Sequence, residues 1–241
     1  MLTGIYSAAS AMRTAEFQQD VIATNLAHLN VPGFRRSTMT VSTFNEELNA
    51  QRNNAPGFGN TVERLAIDFS AGPMVSTGRS LDVAIGDGGF LAVKGENQTL
   101  YTKNGALQIG EDGQLVGNHG LPILGERGPI TIPDDVSPSD IVISKDGSIS
   151  AGENQIGKLQ LGRFENDQTL RQVGTTLFSA DSSAIPSNGQ VTVLQGVREQ
   201  SNVQPVDELV SMIVAMRYHE ASQKALKSID DAVHQQTDPR G

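Results

Sequence analysis

The sequence contains no cysteine and no tryptophan, and only 5% of its 241 residues are aromatic. Without thiols, disulfides, thiolate metal sites and cysteine nucleophiles are excluded. The same absence suits cytosol and periplasm equally. Basic residues are also scarce, and the formal net charge is −9. That argues against a nucleic-acid partner, because neutralising phosphates needs clustered Lys and Arg. No apolar run approaches the ~18 residues of a membrane span. The opening residues, Met1 to Ser10, have neither the basic region nor the apolar stretch of a cleavable signal peptide. Export, if it occurs, is therefore expected by another route.

What the chain does have is glycine, at 25 residues, and 37% hydrophobic residues. It can bury a core, and many tight turns are expected within it. Charge is unevenly spread. Residues 1–36 hold three Arg against Glu16 and Asp20, a balance of +1. Residues 205–241 hold four bases against six acids, −2, so the middle carries −8. Nearly neutral ends can associate laterally, whereas the middle reads as a solvated body.

Both ends carry helical periodicity. From Ile5 to Leu29, one heptad series is Ile5, Met12, Gln19 and Leu26, and the other is Ala8, Ala15, Ile22 and Leu29. These are a and d positions with one polar exception. They predict a helix roughly 35–40 Å long, closed by Pro32-Gly33. At the other end, Pro205 suits a first helical turn, with Asp207 and Glu208 near the positive end of the dipole. The apolar stripe there runs Val206, Leu209, Met212, Ile213, Met216, Leu226, Ile229 and Val233, interrupted around His219 to Gln223.

Between the helices the period becomes strand-like. Leu81, Val83 and Ile85 alternate with Asp82 and Ala84, followed by Gly86-Asp87-Gly88-Gly89 and then Phe90 to Val93. Turn signals recur at Asn104-Gly105, Asp112-Gly113, Asn118-His119-Gly120, Asp146-Gly147 and Asn188-Gly189. Short apolar runs lie between them, at Leu107–Ile109, Gly120–Leu124, Ile141–Ile143 and Leu159–Leu161. This spacing predicts an all-β body of hairpins. Residues 37–80 are less regular and read as an extended connector, with a short helix at Val41–Asn49.

A search for chemistry leaves no constellation standing. Gly86–Gly89 lacks the spacing, the lysine and the following helix of a phosphate loop, so it reads as a turn between strands. The four His (28, 119, 219 and 234) form no ligand-spaced pair. Asp134-Asp135 and Asp230-Asp231 are adjacent, so their side chains diverge rather than form an acid–base dyad. No G-x-S-x-G elbow is present, and neither Asp-Gly pair continues into a calcium ladder. No catalytic, cofactor or metal site is expected. A helical apolar stripe is ordinarily intramolecular core. Here both stripes lie at the chain ends and the middle has its own strand pattern, which favours assembly. Isolated amphipathic helices are marginal in water, so the ends are expected to order on assembly.

The residues then carry a resemblance. The segment from Asp20 through Thr24, Asn25, Leu26, Ala27, His28 and Asn30 to Gly33, Phe34 and Arg35 resembles the N-terminal signature of bacterial flagellar rod and hook proteins. Thr24 and His28 stand where that signature has Asn. Ser201, Asn202 and Val203, running to Asp207, Glu208, Leu209, Met212 and Ile213, resemble the family's C-terminal signature. Thr77-Gly78, then Leu81, Asp82, Val83, Ala84 and Ile85 with Gly88, Gly89 and Phe90, resemble its core motif, and Tyr101 to Gly105 its hairpin. The likeness covers nearly the whole chain in the right order. Phe69–Pro73 and Gly120–Ile130 resemble the proximal-rod (FlgF) branch, with the distal-rod (FlgG) branch as the close alternative.

The resemblance implies a mainly β fold with terminal α-helices that pair as a coiled coil. Its bounds would be an axial helix at 1–36, a connector at 37–80, a β domain at 81–180, return strands at 181–202 and an axial helix at 203–241. It implies a structural rod subunit, not an enzyme, exported without signal cleavage by the flagellar export apparatus into the periplasmic rod. Its partners would be copies of itself and other rod and hook axial proteins. The helical assembly interface would comprise Ile5, Ala8, Met12, Ala15, Ile22, Leu26, Leu29, Leu209, Met212, Ile213, Met216, Leu226, Ile229 and Val233. A soluble binding module with a β body and a helical stalk is the competing reading.

Overall fold

The computed structural model describes residues 2–43, 61–180 and 191–237. It is mainly β with a helix at each end and divides into two units, one within residues 1–27, 37–68 and 203–241, the other 28–36 and 69–202.

The first unit holds helix α1 (Leu2–Ala27), strands β1 (Ser37–Thr43) and β2 (Thr61–Ile67), and helix α2 (Pro205–Thr237). α1 is rich in Ala and has no proline, which favours helix along its length. It stops at Ala27, earlier than its heptads suggest. Leu29 therefore lies in the turn beyond the helix, not on a helical face. Pro32 disfavours helical geometry at Val31, and the backbone takes two successive turns instead, Val31 N to His28 O at 3.0 Å and Phe34 N to Val31 O at 3.2 Å. α1 and α2 pack along one another and run antiparallel. A methyl group on Gly4 would stand 3.2 Å from Ile229 Cδ1, while Glu16 Oε1 lies 3.3 Å from His219 Nε2.

β1 and β2 form an antiparallel pair from Ser37 opposite Ile67 to Thr43 opposite Thr61. The short helix expected at 41–49 is corrected at its start. Residues 41–43 end β1, where β-branched Val41 and Thr43 favour a pleated strand; the remainder lies outside the described residues. Asn25 ties this pair to α1. Its Nδ2 donates to Ser37 O at 2.8 Å and its Oδ1 accepts from Ser37 N at 2.9 Å. A buried amide side chain supplies both a donor and an acceptor on separate atoms, whereas an ionised carboxylate of the same length only accepts.

The second unit contains β3 (Met74–Ser76), β4 (Val83–Ile85), β5 (Gly89–Lys94), β6 (Thr99–Thr102), β7 (Gln108–Ile109), β8 (Leu115–Val116), β9 (Leu124–Gly125), β10 (Gly128–Pro129), β11 (Ile141–Ile143), β12 (Ser148–Ala151), β13 (Asn154–Lys158), β14 (Leu161–Arg163), β15 (Leu170–Gln172), β16 (Leu177–Ala180), β17 (Val193–Gln195) and β18 (Val197–Glu199). Its largest sheet has the order β14-β5-β6-β16-β15, and β11-β12-β13 form a second. The remaining strands pair as β3–β18, β4–β17, β7–β8 and β9–β10, all antiparallel.

Short strands bury their aliphatic residues in one core, around Val83, Ile85, Leu91, Val93, Leu107, Ile123, Ile149 and Leu159. Beside it, Phe69, Phe90, Phe164, Phe178 and Tyr101 meet edge to face or tilted, with centroids 4.9–6.0 Å apart, the arrangement that ring quadrupoles favour. Five of the eleven aromatic residues of the chain are gathered in this one cluster. Asp112-Gly113 and Asp146-Gly147 turn the β7–β8 and β11–β12 hairpins. The signal at Asn188-Gly189 lies outside the described residues. Gly86–Gly89 is a tight turn closed by Gly89 N to Gly86 O at 2.9 Å. Asp87 and Gly88 both have positive φ, 52° and 70°, the primed turn that suits twisted strands.

Candidate functional site

The helix pair shelters one heptad frame on each helix. On α1, Ala8, Ala15 and Ile22 are buried and Ile5, Met12 and Leu26 half-buried, while the intervening Arg13, Glu16 and Asp20 are exposed. On α2 the sheltered frame is Glu208, Met212, Ala215, His219, Ser222, Leu226 and Ile229, spaced alternately by four and three. It passes through His219 and Ser222, so the interruption apparent in the sequence is two polar residues on an unbroken seam. Ala215 is fully buried, and a residue so small lets the helices approach closely. Glu208 is fully buried in the first turn of α2, where the helix dipole favours a carboxylate.

The apolar stripe read from the sequence of α2 thus merges two faces. Leu209, Ile213 and Met216 are 54%, 52% and 50% exposed; Leu209 and Met216 flank the seam beside Met212, while Ile213, Val206, Val210 and Val214 turn away from it. The first three turns of α2 therefore carry apolar residues well beyond the seam, with Asp207 and Ser211 leaving one side polar. Val233 falls within α2, with its side chain outside the described residues.

The second unit contains a clamp built from three separate stretches. Arg35 is 1% exposed and its Nη2 donates to Glu199 Oε1 at 2.7 Å. The same oxygen accepts from Gly72 N at 2.9 Å, and the Glu199 carbonyl accepts from Gly33 N at 2.9 Å. Arg36 N donates to Asn202 Oδ1 at 2.7 Å, and Asn202 Nδ2 donates to Ser70 O at 3.1 Å. Phe34 is buried, its ring stacked on His28 at 4.9 Å. Sequence order places Gly33, Phe34 and Asn202 in motifs at opposite ends of the chain; the fold joins them. Glu199 carried no signal of its own, since nothing in a lone carboxylate announces a partner 164 residues away.

Gly33 occupies a position with φ +70°, and a Cβ there would stand 2.5 Å from the backbone of Lys103 and Asn104. Gly88 has the same φ with nothing within 4 Å. Gly33→Ala is therefore expected to cost the β unit about 3 kcal/mol or more in urea unfolding, against about 1–2 kcal/mol for Gly88→Ala, which adds backbone strain alone. Equal losses at the two sites would show that the close approach at Gly33 is unimportant.

Lys103 lies beside the clamp. It is 4% exposed, with its Nζ 4.9 Å from the centroid of the Phe90 ring and 3.4 Å from Ile85 O. Burial pushes its pKa down to about 8; Glu199, Asp167 and Asp87 partly offset this, while Arg35 adds to it. Asp167 responds in the opposite sense, its pKa raised by burial and partly offset by Lys103, Arg35 and Arg163. The cluster is a charge-balanced knot under the clamp, not an acid–base pair aimed at a cleft.

The remaining motif residues are structural. Leu81, Asp82, Val83, Ala84, Ile85 and Phe90 are buried, as are Ser201 and Val203. Asp82 faces Arg198 Nε at 3.3 Å and Arg79 Nη1 at 3.7 Å. Ala27 ends α1 in an exposed position. No cluster of His, Asp or Glu able to hold a metal occurs among the described residues. Two open hollows occur among the described residues, one lined by Lys224, Lys227, Ser228 and Asp231 and one by Arg79, Ser80 and Ser139. No helix among the described residues is long and apolar enough to cross a membrane.

Comparison with known proteins agrees with this layout. Residues 5–35 match the family described as flagella basal body rod protein. Residues 84–151 match the flagellar hook protein FlgE/F/G D1 domain, and 194–233 the flagellar basal body rod FlgEFG protein C-terminal region. The chain is 33% identical to the flagellar basal-body rod protein FlgF of Salmonella typhimurium, over 94% of each chain. It is equally similar to the FlgF of Escherichia coli, 33% over 94% of each. It is 29% identical to the flagellar basal-body rod protein FlgG of Borreliella burgdorferi over 96% of each. With similarity on this scale along nearly its whole length, the chain belongs to the flagellar basal-body rod protein family.

Proposed function

We propose that the protein is a structural, non-enzymatic subunit of the proximal rod, which polymerises through its terminal helices into a torque-transmitting shaft. The observation that carries this is the outward apolar face of α2. Val206, Leu209, Val210, Ile213, Val214 and Met216 are each 43–70% exposed in the single chain, although such surface gains about 1.5–3 kcal/mol per fully buried side chain. In a tube of stacked copies that face meets neighbouring helices, while the α1–α2 seam of Ile5, Met12, Ile22, Leu26, Met212, Leu226 and Ile229 works as an antiparallel coiled coil within each copy. The helices within 1–36 and 203–241 would be the axial part, and the β domain around 81–180 would face outward. The partners are other copies and other rod and hook axial proteins. Delivery is by the flagellar export apparatus, without signal cleavage, to the periplasmic rod.

FlgF and FlgG relatives are both similar over nearly the whole chain, so the distal rod is the second reading. Deletion of the gene should stop basal bodies before the rod is complete. Complementation with Ile213→Asp should leave the cells non-motile, while purified Ile213→Asp protein keeps its β unit folded by circular dichroism. Normal swimming with Ile213→Asp would overturn the helical interface.

A further inference from the structure

The chain passes between its two units at four points, 27/28, 36/37, 68/69 and 202/203. Force carried along the chain from the helical unit into the β unit passes through the segments beginning or ending there. Three of those segments are the ones that meet in the clamp.

The geometry beyond them is mechanically weak. β3 and β18 pair antiparallel, with Met74 opposite Glu199 and Ser76 opposite Val197. The chain enters β3 from residues 69–73 and leaves β18 through 200–202, at the same end of the pair. Tension on 68/69 and 202/203 therefore pulls the two strands apart from that end, breaking ladder bonds one at a time rather than together. In front of the first ladder position stand Gly72 N to Glu199 Oε1 at 2.9 Å, Asn202 Nδ2 to Ser70 O at 3.1 Å and Gln200 N to Pro73 O at 2.9 Å. Between the crossings at 36/37 and 202/203 stand Arg36 N to Asn202 Oδ1 at 2.7 Å and the buried Arg35–Glu199 pair. Phe69, the first residue inside the β unit, is held between Phe90 and Phe178, with centroids 6.0 and 5.4 Å away.

We propose that residues 33–36, 70–72 and 199–202 form a load-bearing lock, which lets the chain crossings carry force without unzipping β3 from β18. Its use in the cell rests on the torque-transmitting reading above. The lock shares load between a charge-assisted pair and several backbone hydrogen bonds, which is stronger than any one ladder rung.

Single-molecule pulling on the full chain, with handles at the two termini, tests this. Asn202→Ala should lower the force at which the β unit opens by about half, because forced unfolding follows the opening rate. Glu199→Gln, which keeps an acceptor oxygen and removes the charge, should lower it in the same direction. Ile149→Val removes one methylene from a fully buried site in β12, away from the lock. At a loss of urea stability matched to the lock variants, it should leave the opening force nearly unchanged. Equal losses of force in matched core and lock variants, or no loss in either lock variant, would overturn the proposal. A deletion strain that still built complete rods would instead remove the rod reading and leave the pulling result intact.

Discussion

Glu199→Ala is expected to lower the stability of the β unit by about 3–5 kcal/mol, read as a shift of its urea midpoint. The substitution leaves the Arg35 guanidinium buried with no carboxylate beside its Nη2. It also removes the acceptor of Gly72 N, though not the backbone acceptor of Gly33 N. The loss is one-sided. Arg35 Nε and Nη1 and Glu199 Oε2 make no hydrogen bond among the described residues, so the pair does not fully replace its lost hydration. Removing both charges at once should therefore be far milder. Arg35→Met combined with Glu199→Leu is expected to recover most of the stability lost in Glu199→Ala. If the single variant stays within about 1 kcal/mol of wild type, the ion pair is not what holds 33–36 in place.

Lys103→Met is expected to stabilise the protein at neutral pH, and the gain should shrink as pH rises. The lysine pKa is 10.5 in an open chain and about 8 in the fold, a difference worth about 3 kcal/mol against the charged form. Below pH 8 both states hold the proton, and the folded state bears the full penalty. Between pH 8 and 10.5 the unfolded chain keeps the proton and the folded chain has released it, so wild-type stability rises with pH. Above 10.5 the penalty is gone. The stability difference between Lys103→Met and wild type, measured in urea from pH 7 to 10.5, should therefore fall toward the packing difference alone. Loss of Lys103 charge also removes a partner of Asp167, which trims the gain at neutral pH. A difference that stays flat across this range would mean the ammonium is better solvated than its 4% exposure implies. A buried cation that lowers stability at working pH is a local cost, and its position beneath Gly33 connects it to the clamp.

Much of this was readable one residue at a time. Helices at both ends followed from heptad spacing that any packing partner would satisfy, and the β body from turn residues whose preferred backbone angles are local. Asp87-Gly88 reads as a turn in either setting, and becomes one. The limits of local reading show on α2. Leu209, Ile213 and Met216 satisfy helical periodicity as well as Met212 and Leu226 do. Hydrophobicity alone does not say which of two apolar faces meets α1. The structure assigns Met212, Ala215, His219 and Ser222 to that seam and leaves the other face exposed.

The same limit applies to the motifs. Their order along the chain identified the family, but the sequence does not say that Asn25 binds the backbone of Ser37 or that Arg35 is buried against Glu199. It also places a boundary at residue 36, whereas Phe34 and Arg35 are built into the β unit, so a fragment beginning at residue 37 would lack half of the clamp. Helix ends, turns and apolar periods are set by interactions a few residues long, and those the sequence determined by itself. Which apolar face is covered, and which buried charge finds which partner, depends on stretches more than a hundred residues apart meeting at close range. Only the tertiary structure decided those, because a buried ion pair or a close backbone approach has no energy until both sides are in place.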